Sequence, residues 1–508
     1  MELEDTHRED AEEAVRGSGT NLLAVVAGLS VMAYHALAAR LYGAGPYGTY
    51  ATGLGVTDVA ARLSVFGTDV GLMRQIPVHR AAGERARELQ ALGTGLWLTL
   101  LGGGLLAALL ALFSGPLARL QGTADTHAAL RLLAPVTPFT GLVAVAIWAT
   151  MAARVQRYNL LIAGLAQPLL LMACTIPLSF LLPGVRGLCL AHLLALAATA
   201  TLALLAVRQV FGREGFRTAL ATRRPHGPLL RFSFPMALSD FLNTLLHRVD
   251  LILLGFYVSH EVVGTYAGAE LLARAVTHAR SALDPVAAPV FAEALERGDR
   301  ARLRYNVHLM ARWVALLTMP LVGFLVAFRA DLLALFGPTF AGAAGPLVLL
   351  VLGHSANSLL GMSGNVVLMA GRSDLGLLNN VLAAGTNIGL CLLFIPRYGA
   401  LGAAASAACA ITLVQTLYAI ELGLLQRTSL FSWALGRVLL AGSAAILAVT
   451  WLAPHLGPSP LLRLVLGTAT LLVAYGLLLW LLGLGPEEQR IVRRFLGRDE
   501  PPPPTRHP

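Results

Sequence analysis

The segment RLYGAGPYGTYA, residues 40–51, has a counterpart later in the chain, FYVSHEVVGTYA, residues 256–267. Both segments end in the same four residues, GTYA, which open a long apolar stretch in each case. The second copy comes six predicted helices after the first. This spacing predicts two parallel-topology repeats, helices 1–6 and 7–12, with two further helices appended. Transporters built from such repeats tend to bind substrate at the repeat interface.

The composition around these segments is that of a membrane protein. The 508 residues are 56% hydrophobic and only 13% charged, whereas soluble domains carry about 25% charged residues. Apolar stretches near the roughly 20 residues that cross a bilayer core follow one another along the chain. They lack the alternation of membrane β-strands. The sequence therefore predicts an all-α polytopic membrane protein.

We predict about fourteen transmembrane helices, which places both chain ends on one side of the membrane. The predicted tails and loops on that side carry 25 arginines, and the opposite loops carry 7. Because cytoplasmic loops are enriched in basic residues, both termini are predicted to be cytoplasmic. The predicted helices are 18–41, 48–73, 90–113, 128–152, 158–182, 187–209, 230–257, 262–290, 306–329, 344–370, 374–396, 401–426, 433–453 and 461–484.

The repeat and the loop lengths divide the chain into six predicted parts. Residues 2–13 are rich in acid, whereas a signal peptide begins with basic residues, so the first apolar segment is predicted to remain as helix one. The parts are a cytoplasmic N-terminal tail at 1–16, a first lobe at 17–210, a cytoplasmic linker at 211–229, a second lobe at 230–426, two appended helices at 427–484, and a disordered cytoplasmic tail at 485–508.

Ionisable side chains inside the predicted helices mark a candidate substrate cavity, because charges within a membrane are costly and usually functional. They concentrate in helices two, seven and eight. Arginine suits an anionic ligand, since its planar fork binds phosphate bidentately and keeps its proton. The candidate cavity residues are Arg62, Arg248, Arg274, Arg280, His278, Asp58 and Glu270.

The same residues have a second interpretation, in which they neutralise one another within single helices. Glu270 and Arg274 are four residues apart, as are Asp58 and Arg62, so each pair lies on one helix face. Arg248 has Asp250 beside it near a helix end. The sequence leaves open whether these arginines serve a ligand or only their neighbouring carboxylates.

Several function classes are disfavoured by the sequence. It contains no nucleotide-binding, hydrolase or zinc-protease motif, so we predict neither an enzyme nor a cofactor. The net charge of +10 lies in short loops and forms no basic face with interleaved aromatics, so nucleic acid is not a predicted partner. The four cysteines lie in apolar stretches without metal-binding spacing and are predicted to be small buried side chains.

Two stretches resemble bacterial polysaccharide-exporting flippases of the O-antigen type. Residues 38–77, AARLYGAGPYGTYATGLGVTDVAARLSVFGTDVGLMRQIP, resemble their opening signature. Residues 232–267, FSFPMALSDFLNTLLHRVDLILLGFYVSHEVVGTYA, resemble the signature of their second half. The chain is thus similar to the multidrug, oligosaccharidyl-lipid and polysaccharide exporter (MOP) superfamily. The matching residues are Ala39, Arg40, Leu41, Gly45, Pro46, Tyr47, Gly48, Gly71, Arg74, Pro235, Asp250, Leu254, Gly255, Gly264 and Tyr266.

The resemblance implies a MATE-like flippase fold, with two six-helix lobes related by a pseudo-twofold axis and two appended helices. It implies a cargo of undecaprenyl-diphosphate-linked oligosaccharide repeat units, flipped by alternating access across the bacterial inner membrane for O-antigen and lipopolysaccharide synthesis. Arg62, Arg248, Arg274 and Arg280 would engage the diphosphate. The implied partners are the lipid-linked oligosaccharide, membrane lipids, H⁺ or Na⁺ as coupling ion, and a polymerase or ligase.

Three alternatives stay open at this point. A lipid II flippase would be equally cationic. A cation-coupled multidrug exporter would need an acidic residue in its first helix, and 18–41 contains none. A polysaccharide polymerase or ligase would need a large periplasmic loop, whereas all predicted external loops are short.

Overall fold

The computed structural model describes residues 27–121, 124–222, 224–457 and 459–483. Within these ranges the chain forms helices and no β-strand. The all-α prediction is therefore confirmed. The predicted tails at 1–16 and 485–508 lie outside the described residues.

The helices before the second half of the chain are mostly long and joined by short turns. They are α1 at 27–42, α2 Ala44–Val65, α3 Thr68–Ala81, α4 Arg85–Gln121, α5 Ala124–Leu133, α6 Val136–Ala152, a π-helix at Asn159–Ala166 that continues into α7 Gln167–Leu181, α8 Val185–Phe211, α9 Arg213–Leu220, α10 Gly227–Leu246, α11 Val249–Tyr257 and α12 His260–Arg274.

The remaining helices begin after a short 3₁₀ turn at Ala275–Thr277. They are α13 His278–Ser281, α14 Asp284–Glu296, α15 Arg300–Ala327, α16 Arg329–Ala334, α17 Ala344–Leu360 after a 3₁₀ turn at Pro338–Ala343, α18 Met362–Met369, α19 Ser373–Tyr398, α20 Ala400–Gln426, α21 Trp433–Leu452 with a 3₁₀ turn at Ala453–His455, and α22 Pro460–Leu482.

The chain is a multi-pass membrane protein, because ten helical segments of the described residues are long and apolar enough to cross a bilayer. The count of fourteen stays a prediction. Three other predicted spans are broken into shorter helices in the structure. Helix two divides into α2 and α3, helix seven into α10 and α11, and helix eight into α12, α13 and α14.

Two compact units make up the chain. Among the described residues, the first contains those up to 274 together with 332–353 and 373–414, and the second contains 275–331, 354–372 and those from 415 onward. The first unit has a core of small and branched residues from α3, α4, α6 and α8, including Leu72, Leu92, Val145, Ala146 and Ala203, all fully buried. Small side chains let membrane helices approach closely and gain dispersion contacts.

The second unit has its own apolar core. Phe291 of α14, Val307 and Val314 of α15, and Leu422 of α20 are fully buried there. Gly467 of α22 lies against the ring of Phe328, at a place where a Cβ would overlap that ring. Glycine therefore sets how closely α22 packs in this unit.

The two GTYA segments pack against each other where α2 crosses α12. A Cβ added to Gly48 would overlap the carbonyl oxygen of His260, and one added to Gly264 would overlap the carbonyl oxygen of Ala44. Each overlapped carbonyl lies four residues before the glycine of the opposite helix, so the contact is reciprocal. The repeat found in the sequence therefore marks the closest packing between the start of helix two and the start of helix eight.

We predict that Gly48→Ala and Gly264→Ala each destabilise the protein, because the new methyl group forces two backbones apart. Overpacking of this kind costs about 1–3 kcal/mol. Thermal unfolding in detergent micelles measures the effect. Gly45→Ala is the matched control, since a Cβ there meets open space in the same helix. Equal melting temperatures for Gly48→Ala and Gly45→Ala would contradict the close crossing.

Candidate functional site

Two adjoining cavities lie among the helices of the first unit. The inner cavity has a volume of about 250 Å³ and the outer one about 290 Å³. Both are lined by Asp58, Thr140, Arg248 and Arg274, so they adjoin, and together they make up a chamber. Helices α2, α6 and α12 contribute to both parts, while α10 reaches only the outer part and α8 only the inner part.

Helix breaks place the charged residues in this chamber. Arg248 lies in the interruption between α10 and α11, and Arg274 is the last residue of α12. Arg274 Nη2 donates to the carbonyl oxygen of His247, the C-cap of α10, at 2.8 Å. A helix end leaves carbonyl groups without intrahelical partners, and such ends occur at membrane depth only where protein or a cavity satisfies them. The break and the arginine therefore stabilise each other.

The third break, between α2 and α3, brings a carboxylate back toward Arg62. Phe66 and Gly67 both adopt the left-handed conformation, with φ of 53° and 66°. Across this turn, Arg62 Nη1 donates to Asp69 Oδ2 at 2.7 Å. Asp240 of α10 accepts from Arg62 Nη2 at 2.5 Å. Arg62 thus links α2, α3 and α10 beside the outer cavity.

The ion pairs differ from the predicted pairs within single helices. Arg274 does pair with Glu270, as that interpretation expected. Asp58, however, pairs with Arg248 of the α10–α11 break, at 2.7 Å. Arg62 therefore takes Asp69 and Asp240 instead of Asp58. For Asp58 and Arg62, the long-range approach of α2 to α10 and α11 decides the partners, whereas Arg274 and Glu270 follow the spacing along one helix.

Asp250 is hydrogen-bonded to a tyrosine and forms no ion pair with Arg248 among the described residues. Its carboxylate accepts a hydrogen bond from Tyr266 Oη, and both side chains are buried. Tyr34 and Tyr50 make the corresponding contact in the first repeat, hydroxyl to hydroxyl, at 2.8 Å. Both contacts join residues 16 positions apart, and the GTYA register relates one pair to the other. The two repeats therefore keep this contact with different chemistry.

The inner cavity has a wall of hydroxyl and imidazole groups. Tyr50 Oη lies 2.7 Å from His192 Nδ1, and Tyr47 Oη lies 3.0 Å from His35 Nδ1. Tyr34 completes the group. Tyr34, Tyr47 and His35 were not among the predicted site residues. The repeat register was the available signal for Tyr34, since it aligns Tyr34 with Asp250 and Tyr50 with Tyr266.

Five of the seven predicted site residues come together around the chamber: Asp58, Arg62, Arg248, Glu270 and Arg274. His278 and Arg280 belong to the second unit and line neither cavity. Arg280 Nη1 donates to the carbonyl and side-chain oxygens of Asn357, both at 3.2 Å.

The electrostatic character of the chamber follows from these pairs. Three guanidinium groups from three separate chain segments converge on it, and each one contacts at least one carboxylate. The side chains of Arg248 and Asp58 remain 27% and 30% exposed, so this ion pair is open to the cavity. An anionic ligand would bind the arginines by replacing their carboxylate partners.

The fold is shared with flippases and transporters. The lipid II flippase MurJ in an inward closed conformation is similar, with a TM-score of 0.70 at 13% identity over 94% of this chain and 99% of that one. An inward-facing multidrug resistance MATE family transporter of the MOP superfamily has a TM-score of 0.65 at 16% identity, over 80% and 99% of the two chains. The eukaryotic MATE transporter AtDTX14 has a TM-score of 0.53 at 18% identity, over 82% and 98%.

The sequence itself identifies the family. Residues 37–343, more than half of the chain, match the family model described as polysaccharide biosynthesis protein. The chain belongs to this family. No curated protein matches the sequence. The predicted MATE-like fold is therefore confirmed, and so is the predicted family of polysaccharide exporters.

We predict that Asp58 and Arg248 are energetically coupled. Asp58→Asn and Arg248→Gln each leave a charge without its partner, so the double variant should lose less stability than the sum of the single variants. The expected coupling is ~1–3 kcal/mol, measured as a double-mutant cycle of unfolding free energies in detergent micelles.

The control cycle uses Glu293→Gln and Arg297→Gln, a pair whose side chains are 42% and 64% exposed. Exposed pairs of this kind contribute about 1 kcal/mol or less. A coupling for Asp58 and Arg248 no larger than this control would show that the chamber pair is as weak as a surface pair.

Proposed function

We propose that the protein flips undecaprenyl-diphosphate-linked oligosaccharide repeat units across the bacterial inner membrane, with both of its termini in the cytoplasm. The observation that carries this proposal is the convergence of Arg62, Arg248 and Arg274 on one chamber among membrane helices. The family supports a role in polysaccharide biosynthesis. Transport is favoured over enzymatic chemistry because the structural neighbours are flippases and transporters.

The head group of such a lipid matches the chamber chemically. A diphosphate carries more than one negative charge and several acceptor oxygens, and guanidinium groups bind phosphate through two parallel hydrogen bonds. Arg248 and Arg274 line both cavities, so they can face a diphosphate lying between them. The diphosphate then replaces Asp58 as the partner of Arg248 and Glu270 as the partner of Arg274.

Carboxylate exchange also explains why the arginines are paired. An unpaired charge in a membrane interior is expensive. The carboxylates compensate the arginines while the chamber is empty of substrate, and the Asp58–Arg248 pair is open to the cavity, where a ligand can reach it. The tyrosine and histidine wall of the inner cavity supplies hydrogen-bonding groups for the hydroxyls of the first sugars.

Alternating access would move the bound head group between the two membrane faces, with H⁺ or Na⁺ as the proposed coupling ion. A polymerase or ligase would then receive the glycan. Lipid II is the second candidate cargo, favoured by the similarity to MurJ over 94% of the chain. A cation-coupled multidrug exporter is less well supported, because α1 carries His35 and no acidic residue at 27–42.

We predict that Arg274→Ala abolishes transport while the protein still inserts into membranes. The substitution removes the charge that faces both cavities and the bond to His247. The assay is flipping of a fluorescent lipid-linked oligosaccharide in proteoliposomes, read by the fraction that an external reductant quenches. We expect at least a tenfold loss of rate, as for other losses of a charged hydrogen bond.

Arg119→Ala is the control, because Arg119 is an exposed arginine near the end of α4, away from the chamber lining. It should flip the lipid at the rate of the unchanged protein. Arg274→Lys keeps the charge without the fork and should retain an intermediate rate. Full transport by Arg274→Ala would remove Arg274 from the binding site.

A further inference from the structure

A separate cleft lies between α3 and the start of α10. It has a volume of about 600 Å³ and is lined by Arg74, Gln75, Gly227, Pro228, Arg231 and Phe232. None of these residues lines the chamber. The charge distribution predicts that this end of α3 and α10 lies at the cytoplasmic membrane surface.

The two arginines of this cleft differ from those of the chamber. Arg74 and Arg231 are both exposed, and neither contacts a carboxylate in the part of the chain that the structure describes. The Arg74 guanidinium lies 4.8 Å from the centre of the Phe232 ring, which holds it over the cleft. Two guanidinium groups without a counter-ion on one small surface favour a ligand with more than one negative charge.

The N-terminus of α10 strengthens this preference. His226 caps the helix, its Nδ1 accepting from the backbone N–H of Leu229 at 3.1 Å. Burial is the main cause that lowers the pKa of His226, which favours the neutral ring that this acceptor role requires. The positive end of a 20-residue helix therefore faces the cleft from a fixed position.

An apolar surface runs from the cleft toward the membrane interior. Arg231, Phe234 and Leu238 are three and four residues apart on α10, so they share one helix face. Phe234 and Leu238 are 62% and 46% exposed. The ring of Phe66 lies beside that of Phe234, with centroids 5.7 Å apart. This face of α10 therefore carries a cationic side chain at one end and apolar side chains beyond it. Such a surface matches a lipid with an anionic head group.

A closed helix seam separates this surface from the chamber. Gly67 lies against the backbone of Ser233 and Ala237, and Gly71 lies against the Ser233 side chain, with no room for a Cβ at either glycine. Beside the outer cavity, Arg62 ties Asp69 of α3 to Asp240 of α10. The cleft and the outer cavity are thus two separate surfaces, and α10 contributes to both.

We propose that this cleft captures the diphosphate head of the lipid carrier before the carrier enters the chamber, with the polyprenyl chain lying along Phe234 and Leu238. The proposal rests on the proposed function. Opening of the α3–α10 seam then exposes Arg62, whose two carboxylate partners give way to the arriving diphosphate. A phosphodiester lipid, with a single negative charge, matches two guanidinium groups less well.

The test is site-specific photo-cross-linking from the apolar track. The full-length protein carries a photoreactive phenylalanine derivative in place of Leu238, in nanodiscs of phosphatidylcholine, and the probe is tritiated farnesyl diphosphate. We expect cross-linking that falls about tenfold or more in Arg74→Gln/Arg231→Gln. Arg304→Gln, which removes an exposed arginine near the start of α15, is the matched control and should leave the yield unchanged.

Two further arms separate this proposal from the proposed function. The chamber variant Arg248→Gln/Arg274→Gln should keep the Leu238 cross-link, because the cleft binds independently. An equal mole fraction of phosphatidylglycerol should not displace the probe. Unchanged cross-linking in Arg74→Gln/Arg231→Gln, or complete displacement by phosphatidylglycerol, overturns the capture site alone. Transport that persists in Arg248→Gln/Arg274→Gln overturns the proposed function instead.

Discussion

Charge compensation inside a membrane is the constraint on which the rest of this structure depends. Arg62, Arg248 and Arg274 lie among apolar helices, where an uncompensated charge is expensive. Each is compensated by carboxylates, and Arg274 also donates to the carbonyl oxygen of His247 at the end of α10. The breaks that interrupt predicted helices two, seven and eight are therefore tied to the chamber. They orient the charges, and Arg274 in turn bonds the end of α10.

The second constraint is the close crossing of α2 and α12. At Gly48 and Gly264, a backbone carbonyl of the opposite helix occupies the place that a Cβ would take. The helices that carry Asp58 and Arg274 therefore pack side by side. The crossing brings equivalent helices of the two repeats to one chamber. Tyr50 and Tyr266 keep equivalent positions but bond to Tyr34 and to Asp250. The two repeats thus have a contact at equivalent positions, but it joins two hydroxyls in the first repeat and a hydroxyl to a carboxylate in the second.

The sequence predicted the all-α membrane fold, the family, the repeat and five charged residues that line the chamber, because these depend on composition, local motifs and the cost of buried charge. It did not predict the ion pairs across helices, such as Asp58 with Arg248, since these depend on how distant segments pack. Phe66 lies in the left-handed turn that brings Asp69 to Arg62. Bulky residues are unfavourable in that conformation, so this turn could not be predicted from the residue that forms it. His278 and Arg280 continued the charged stripe of predicted helix eight, but the helix breaks after Arg274 and places them in the second unit.

The central claim is that a diphosphate binds the chamber by displacing carboxylates from arginines. The most direct measurement is cross-linking of a prenyl diphosphate to a photoreactive residue at Leu54, which lines the inner cavity, compared between the unchanged protein and Asp58→Asn. The account predicts a lower half-saturating concentration for Asp58→Asn, because Arg248 is released from its competitor. An unchanged or higher half-saturating concentration would contradict the displacement of Asp58 by the diphosphate. The Asp58–Arg248 pair would then have a purely structural role.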